Sequence, residues 1–204
     1  MNGCLICDKP LDDQPTWQQL LGIAKTTAIC LPCRNSFERI DSREETEWLD
    51  SVHSLYAYNE AAREFLHQFK FLQDIALAAV FADDLRGALN DSKKVVVPIP
   101  MHARNKRKRT FAQVDALLDA AGVTYENLLQ KTTESVMGEK SRAERLAMTE
   151  LFAVTADIPN KEAIVLVDDI FTTGTTLQHA ARTLKLAGAA RVEAVTLFRP
   201  TGKK

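Results

Sequence analysis

Residues 163–176 read AIVLVDDIFTTGTT, and this stretch decides the fold. Ala163 to Val167 are five apolar residues in a row, as in a strand buried on both faces. Two carboxylates, Asp168 and Asp169, stand at its C-terminal end. A loop of hydroxyls around one glycine follows (Thr172, Thr173, Gly174, Thr175, Thr176), and an apolar series at helical spacing begins at Leu177. Strand, acid pair, small polar loop and helix N-terminus together suit a sugar phosphate. Loop amides and hydroxyls, aided by the helix dipole, hold a phosphate. The carboxylates accept hydrogen bonds from ribose hydroxyls and favour the positive charge of an oxocarbenium-like sugar, which makes Asp168 and Asp169 the candidate catalytic residues. Gly174 has no Cβ to keep the backbone away from a ligand.

The element resembles the signature of the type I phosphoribosyltransferases, whose members bind 5-phosphoribosyl 1-diphosphate (PRPP) with magnesium. The resemblance implies that Asp168, Asp169, Thr172, Thr173, Gly174, Thr175 and Thr176 bind PRPP, and it implies an α/β fold around a parallel sheet. The bland alternative is a strand–turn–helix with a threonine cap. A dinucleotide fold and a P-loop are disfavoured, because the chain has neither G-x-G-x-x-G nor a glycine loop followed by G-K-[ST].

The chain has 204 residues, enough for one substantial core and a small accessory module. Its 46% hydrophobic and 26% charged residues are those of a soluble globular protein. The longest nearly unbroken apolar run, Ile75 to Ala82, falls far short of the ~20 residues that span a bilayer. The start, MNGCLICDK, lacks a charged-then-apolar signal pattern, so a cytoplasmic protein without membrane insertion is expected. The net charge of −1 hides an asymmetry. Residues 1–50 hold nine acids against five bases, whereas residues 93–109 hold seven bases and no acid.

All four cysteines lie near the start, as Cys4-x-x-Cys7 and Cys30-x-x-Cys33 with 22 residues between. Two such knuckles supply the four thiolates of a tetrahedral structural zinc site, and no cysteine is left over. A disulfide pair is disfavoured in a reducing cytosol. A thioredoxin-type redox motif would need a C-x-x-C beside a βαβ unit. Four thiolates leave no open position for chemistry, so zinc here is expected to be structural.

The charged run DSREETEWLD (41–50) reads as a linker or an exposed helix and marks the expected boundary between a zinc ribbon (1–45) and the main domain (50–204). His53 to Tyr58 reads as a short strand. Residues 60–89 have helical periodicity, with Lys70 and Asp74 spaced as a plain helix pair. Val95 to Val97 reads as a buried strand running into Pro98-Ile99-Pro100. The loop after it carries Arg104, Lys106, Arg107, Lys108 and Arg109, charges suited to pyrophosphate or to a nucleic-acid backbone. A helix then ends near Gly122. The polar stretch 131–145 ends in Lys140, Arg142 and Arg145 and suits a lid that excludes water. Simple surface exposure is the alternative for both basic clusters. Val192 to Phe198 forms a last strand.

The whole order of features resembles the ComF family of phosphoribosyltransferase-like competence proteins. The features that carry it are the four cysteines, Phe69-Lys70-Phe71 with Asp74, VVVPIPMHARNKRKRTFAQ, SRAERL (Ser141 to Leu146) before Phe152, and VLVDDIFTTGTT. That resemblance implies a role in natural transformation, with a helicase-like partner protein and single-stranded DNA. Two features depart from the family pattern. Arg-Gly-Phe-Asn-Gln reads Arg109-Thr110-Phe111-Ala112-Gln113 here, which bears on any catalytic use of that loop. A second cysteine group, present in many members, is missing, which suggests a trimmed ribbon. Two functions of different class are therefore expected: a PRPP-binding DNA-uptake factor, or an active transferase acting on a nucleobase or related acceptor, with Phe198 and Arg199 available to contact a base.

Overall fold

The computed structural model describes residues 3–11, 28–91, 93–101, 110–132, 151–158 and 163–202. Two predicted clusters, Arg104 to Arg109 and Lys140 to Arg145, fall outside them.

The central strands form because their sequences are apolar on both faces. β6 (Ala163–Ile170) is buried along most of its length, and β7 (Arg191–Arg199) runs parallel to it from Ala163 opposite Arg191 to Ile170 opposite Phe198. β3 (Val95–Pro98) lies parallel to β6 on the other side, and β2 (Ser51–Ala57) lies parallel to β7. β1 (Arg39–Glu44) adds an antiparallel edge, giving the order β1-β2-β7-β6-β3. Among the described residues a second sheet holds only β4 (Leu129–Lys131) and β5 (Phe152–Val154), paired antiparallel.

β1 corrects the reading of 41–50. Those charges do not make a linker or a helix at 41–44. They lie on an edge strand whose residues alternate between exposed and half-buried. The strand carries a bulge between Arg39 and Ser42, and Asp41 sits there at φ 43° with its carboxylate on Arg39 at 2.8 Å.

Layers of helix cover both faces. On one side α2 (Glu60–Phe71) presents Ala62, Phe65, Leu66 and Phe69 to the sheet. Asn59 caps it by accepting from the Ala62 amide at 3.0 Å. The periodic region 60–89 is not one helix. The chain breaks at Gln73, whose φ is 59°, and continues as a 3₁₀ helix (Ile75–Phe81) and α3 (Ala82–Ala88). α4 (Gln113–Ala121) completes this layer and stops at Gly122, where the sequence places the helix end, with a left-handed cap at φ 64°. On the other side lies α5 (Thr175–Leu186), burying Leu177, Ala180, Ala181 and Leu184.

An aromatic knot holds the first layer. The Phe81 ring centroid is 5.0 Å from Phe37, 4.9 Å from Phe65 and 5.4 Å from Phe198. Each buried ring contributes roughly 2–3 kcal/mol of burial alone. Phe198 belongs to this core and has no exposure, so it does not stack on a base. Cys4, Ile29 and Phe37 belong to the same core, which seats the N-terminal segment against the main domain. α1 (Leu31–Asn35) links the second cysteine pair to Phe37. No helix of the described residues is long and apolar enough to cross a membrane.

Candidate functional site

Strand geometry distributes the acid pair. Successive side chains on β6 alternate between faces: Ile164 and Leu166 meet the α5 layer, and Val165 and Val167 meet the α2 layer. Asp168 follows the first set and Asp169 the second. Both carboxylates lie within β6 itself, which runs three residues past Val167 to Ile170.

On its own side Asp169 meets Lys70, from the last turn of α2, at 2.6 Å from Nζ to Oδ2. Lys70 therefore does not pair with Asp74, whose carboxylate instead caps the 3₁₀ helix by accepting from the Ala76 amide at 3.1 Å. Asp168 accepts from the Asp169 amide at 2.9 Å. Both acids line one cavity of about 190 Å³ at the C-terminal ends of β3 and β6, with Lys70, Lys131, Gln113 and Thr176 on its walls. Burial, reinforced by the negative charge of Asp169, pushes the Asp168 carboxyl up to about 7. Lys70 and Lys131 pull it the other way. Burial lowers the pKa of Lys131, and the charge of Asp168 partly restores it.

A smaller hollow of about 40 Å³ adjoins this cavity, lined by Asp168 and residues 170–177. Thr172, Thr173 and Thr175 are exposed around it, and the Thr173 and Thr175 hydroxyls lie 2.9 Å apart. Gly174 has φ 71°, and a Cβ there would come within 2.7 Å of the Phe171 ring. No side chain caps α5, which leaves its first amides without a side-chain acceptor, and Thr175, Thr176 and Leu177 of its first turn line the hollow. Phe171 is buried beneath the loop with the Arg199 guanidinium 5.3 Å above its ring. Arg199 also binds Glu44 and Ser42, so it braces the loop rather than facing a base.

The four cysteines converge, although the first and second pairs are far apart in sequence. Their sulfurs all lie within 4.8 Å of one another, and Cys7 and Cys30 are 3.8 Å apart. Zinc–sulfur bonds of about 2.3 Å at tetrahedral angles give sulfur–sulfur edges of about 3.8 Å, so the donor set fits a metal. The Asp8 amide donates to the Cys4 carbonyl at 2.9 Å and closes the first knuckle, and the Arg34 amide closes the second on Cys30 at 2.9 Å. Burial opposes ionisation of Cys4, but amides of Cys30, Ile6 and Cys7 outweigh it and hold the thiol at about 6.

The structure thus brings the acid pair and the threonine loop to one rim and gathers the cysteines elsewhere. Lys131 and the true partner of Lys70 escape sequence reasoning. The sequence hints for Lys70 are the Phe69-Lys70-Phe71 element of the family resemblance and its place beside Phe69, on the border of the buried stripe of α2.

Comparison with known proteins agrees with this architecture. The phosphoribosyl transferase domain model matches residues 62–204. Competence protein ComFC of Streptococcus pneumoniae is 31% identical over 218 residues, covering 96% of this chain and 99% of that protein. Competence protein ComFC of Bacillus subtilis is 27% identical over 226 residues, covering 96% and 94%. Among solved structures, an allosteric regulatory enzyme of purine biosynthesis overlays with a TM-score of 0.41 at 21% identity, over 58% of this chain and 25% of that one. The chain belongs to the ComF family and carries that family's phosphoribosyltransferase-type domain.

Proposed function

We propose that this protein binds PRPP with magnesium at the rim of β6 and serves the handling of single-stranded DNA in natural transformation. The carrying observation is the joined pair of hollows, one lined by acids and one by hydroxyls and helix amides. The acid-lined cavity suits ribose, with Asp168 and Asp169 accepting from its two hydroxyls. The threonine loop suits the 5-phosphate. Arg104, Lys106, Arg107, Lys108 and Arg109 follow β3 in sequence and supply charge for pyrophosphate or a DNA backbone. Magnesium, carried in with the pyrophosphate, would neutralise charge on the leaving group. Lys140, Arg142 and Arg145 fit a lid over the bound sugar.

Zinc is the metal proposed for the cysteine cluster, with residues 1–45 as its ribbon segment, whose last part (β1) joins the main sheet, and 50–204 as the ligand-binding domain. The names of the two relatives support the competence role, and a helicase-like protein is the partner proposed with it.

Calorimetric titration of magnesium and PRPP tests the site. Wild type should bind, and an Asp168→Asn, Asp169→Asn double variant should not. Equal binding by both would remove the acid pair from the site. An active transferase is the second reading, favoured by Asp168 and Lys131: two groups of shifted basicity share one cavity and can exchange protons with an acceptor. Pyrophosphate release that depends on an added nucleobase would establish it, and its absence across the common bases would leave binding alone.

A further inference from the structure

Lys70 lies outside the strand, loop and helix assigned to PRPP, yet its ammonium reaches into their centre. It bonds Asp169 at 2.6 Å, and only 18% of its side chain and 11% of that of Asp169 remain exposed. An ion pair this buried persists only with good geometry, since removing both charges from water costs several kcal/mol. The bond occupies Oδ2 of Asp169 and restrains its carboxylate. It also sets the charge of the cavity. Among the described residues, the charged groups that line it are Lys70 from α2, Asp115 from α4, Lys131 from β4, and Asp168 and Asp169 from β6. Without Lys70, the described lining would present an anionic ligand with three carboxylate side chains and, of the two lysines, only Lys131.

We infer that Lys70 is a positioning residue of the ribose site: it clamps Asp169 for a sugar hydroxyl and screens the acid pair from an incoming sugar phosphate. This inference rests on the PRPP reading above. It also separates the lysine's work from that of the basic segment after β3, for which pyrophosphate or a DNA backbone is proposed.

Three probes distinguish the roles: PRPP, ribose 5-phosphate and inorganic pyrophosphate, titrated into wild type, Lys70→Met and Lys70→Arg, with the melting temperature of each. Losing one partner of a charged hydrogen bond corresponds to a fall in affinity on the order of 10- to 100-fold. Lys70→Met should weaken PRPP and ribose 5-phosphate by the same factor in that range while leaving pyrophosphate unchanged. Lys70→Arg should recover most of the loss, because it restores the charge. A purely structural lysine would shift the melting temperature and all three probes alike, and that result overturns the inference. So does a Met variant that binds ribose 5-phosphate as wild type does. Should the Met variant fail to fold, Lys70→Gln keeps a donor without the charge and must show the same selective loss. A wild type that binds neither sugar phosphate refutes the PRPP reading itself, and Lys70 with it.

Discussion

Replacing Asp168 with asparagine should make the protein more stable while it destroys ligand binding. Asp168 titrates in the folded protein at about 7, against 3.8 for the free side chain. The folded state therefore holds a proton that the unfolded chain has released, and stability must fall as pH rises between those two values. Well below pH 3.8 both states are protonated and the penalty vanishes. Above pH 7 it is complete. At 1.36 kcal/mol per pH unit its upper limit is about 4 kcal/mol. Asp168 keeps part of its surface at the mouth of the cavity, where water relieves the charge, so about 1–2 kcal/mol is the expected gain. Asparagine also keeps an oxygen to accept from the Asp169 amide, so the local hydrogen bond survives. Scanning calorimetry at pH 8 should show a melting temperature about 2–8 °C above wild type. At pH 4 roughly a third of that gain should remain, following the same linkage scaled to that gain. PRPP titration on the same samples should show lost affinity. A variant that melts lower than wild type at pH 8, or whose shift is the same at both pH values, would refute the reasoning that this carboxyl is held against its charge.

Gly174→Ala should destabilise by about 2–3 kcal/mol, since the left-handed backbone costs roughly 1–2 kcal/mol and the new methyl group would press on the Phe171 ring. A melting point within 1 °C of wild type would show that the loop gives way freely. Cys4→Ser should lose metal by elemental analysis and lower the melting temperature of the whole protein, because Cys4 shares a core with Phe65 and Phe198. Unchanged unfolding would detach the cluster from that core. Lys106→Glu with Arg107→Glu should weaken single-stranded DNA regardless of sequence and flatten the plot of log affinity against log salt by about 1.4 or more, at roughly 0.7 per phosphate contact. An unchanged slope in a filter-binding assay would exclude this segment as the contact.

Much of the framework is legible in the sequence because its signals are local. The apolar run of β6, the glycine that ends α4, the hydroxyl loop and the spacing within each C-x-x-C are all fixed by neighbours a few residues away. β1 is illegible for the opposite reason. An edge strand pairs through its backbone and needs no buried face, so Arg39 to Glu44 offers one apolar residue and a crowd of charges. Phe198 and Arg199 mislead in a related way. Their place beside the loop is readable, but which face of β7 each takes at its end depends on Phe37, Phe65 and Phe81 on one side and on Glu44 and Phe171 on the other.

The candidate site divides along the same line. Sequence alone carries the proposal of ligand class: acids at a strand end, hydroxyls and a glycine before a helix, and two cysteine knuckles are chemical statements made by adjacent residues. Tertiary structure alone decided how those acids are charged. Lys70 and Lys131 come from a helix and a strand distant in sequence, and they meet Asp168 and Asp169 because the sheet and its covering layers stack them around one cavity. Electrostatic energy depends on distance through space and on the exclusion of water, and neither exists until the chain has folded.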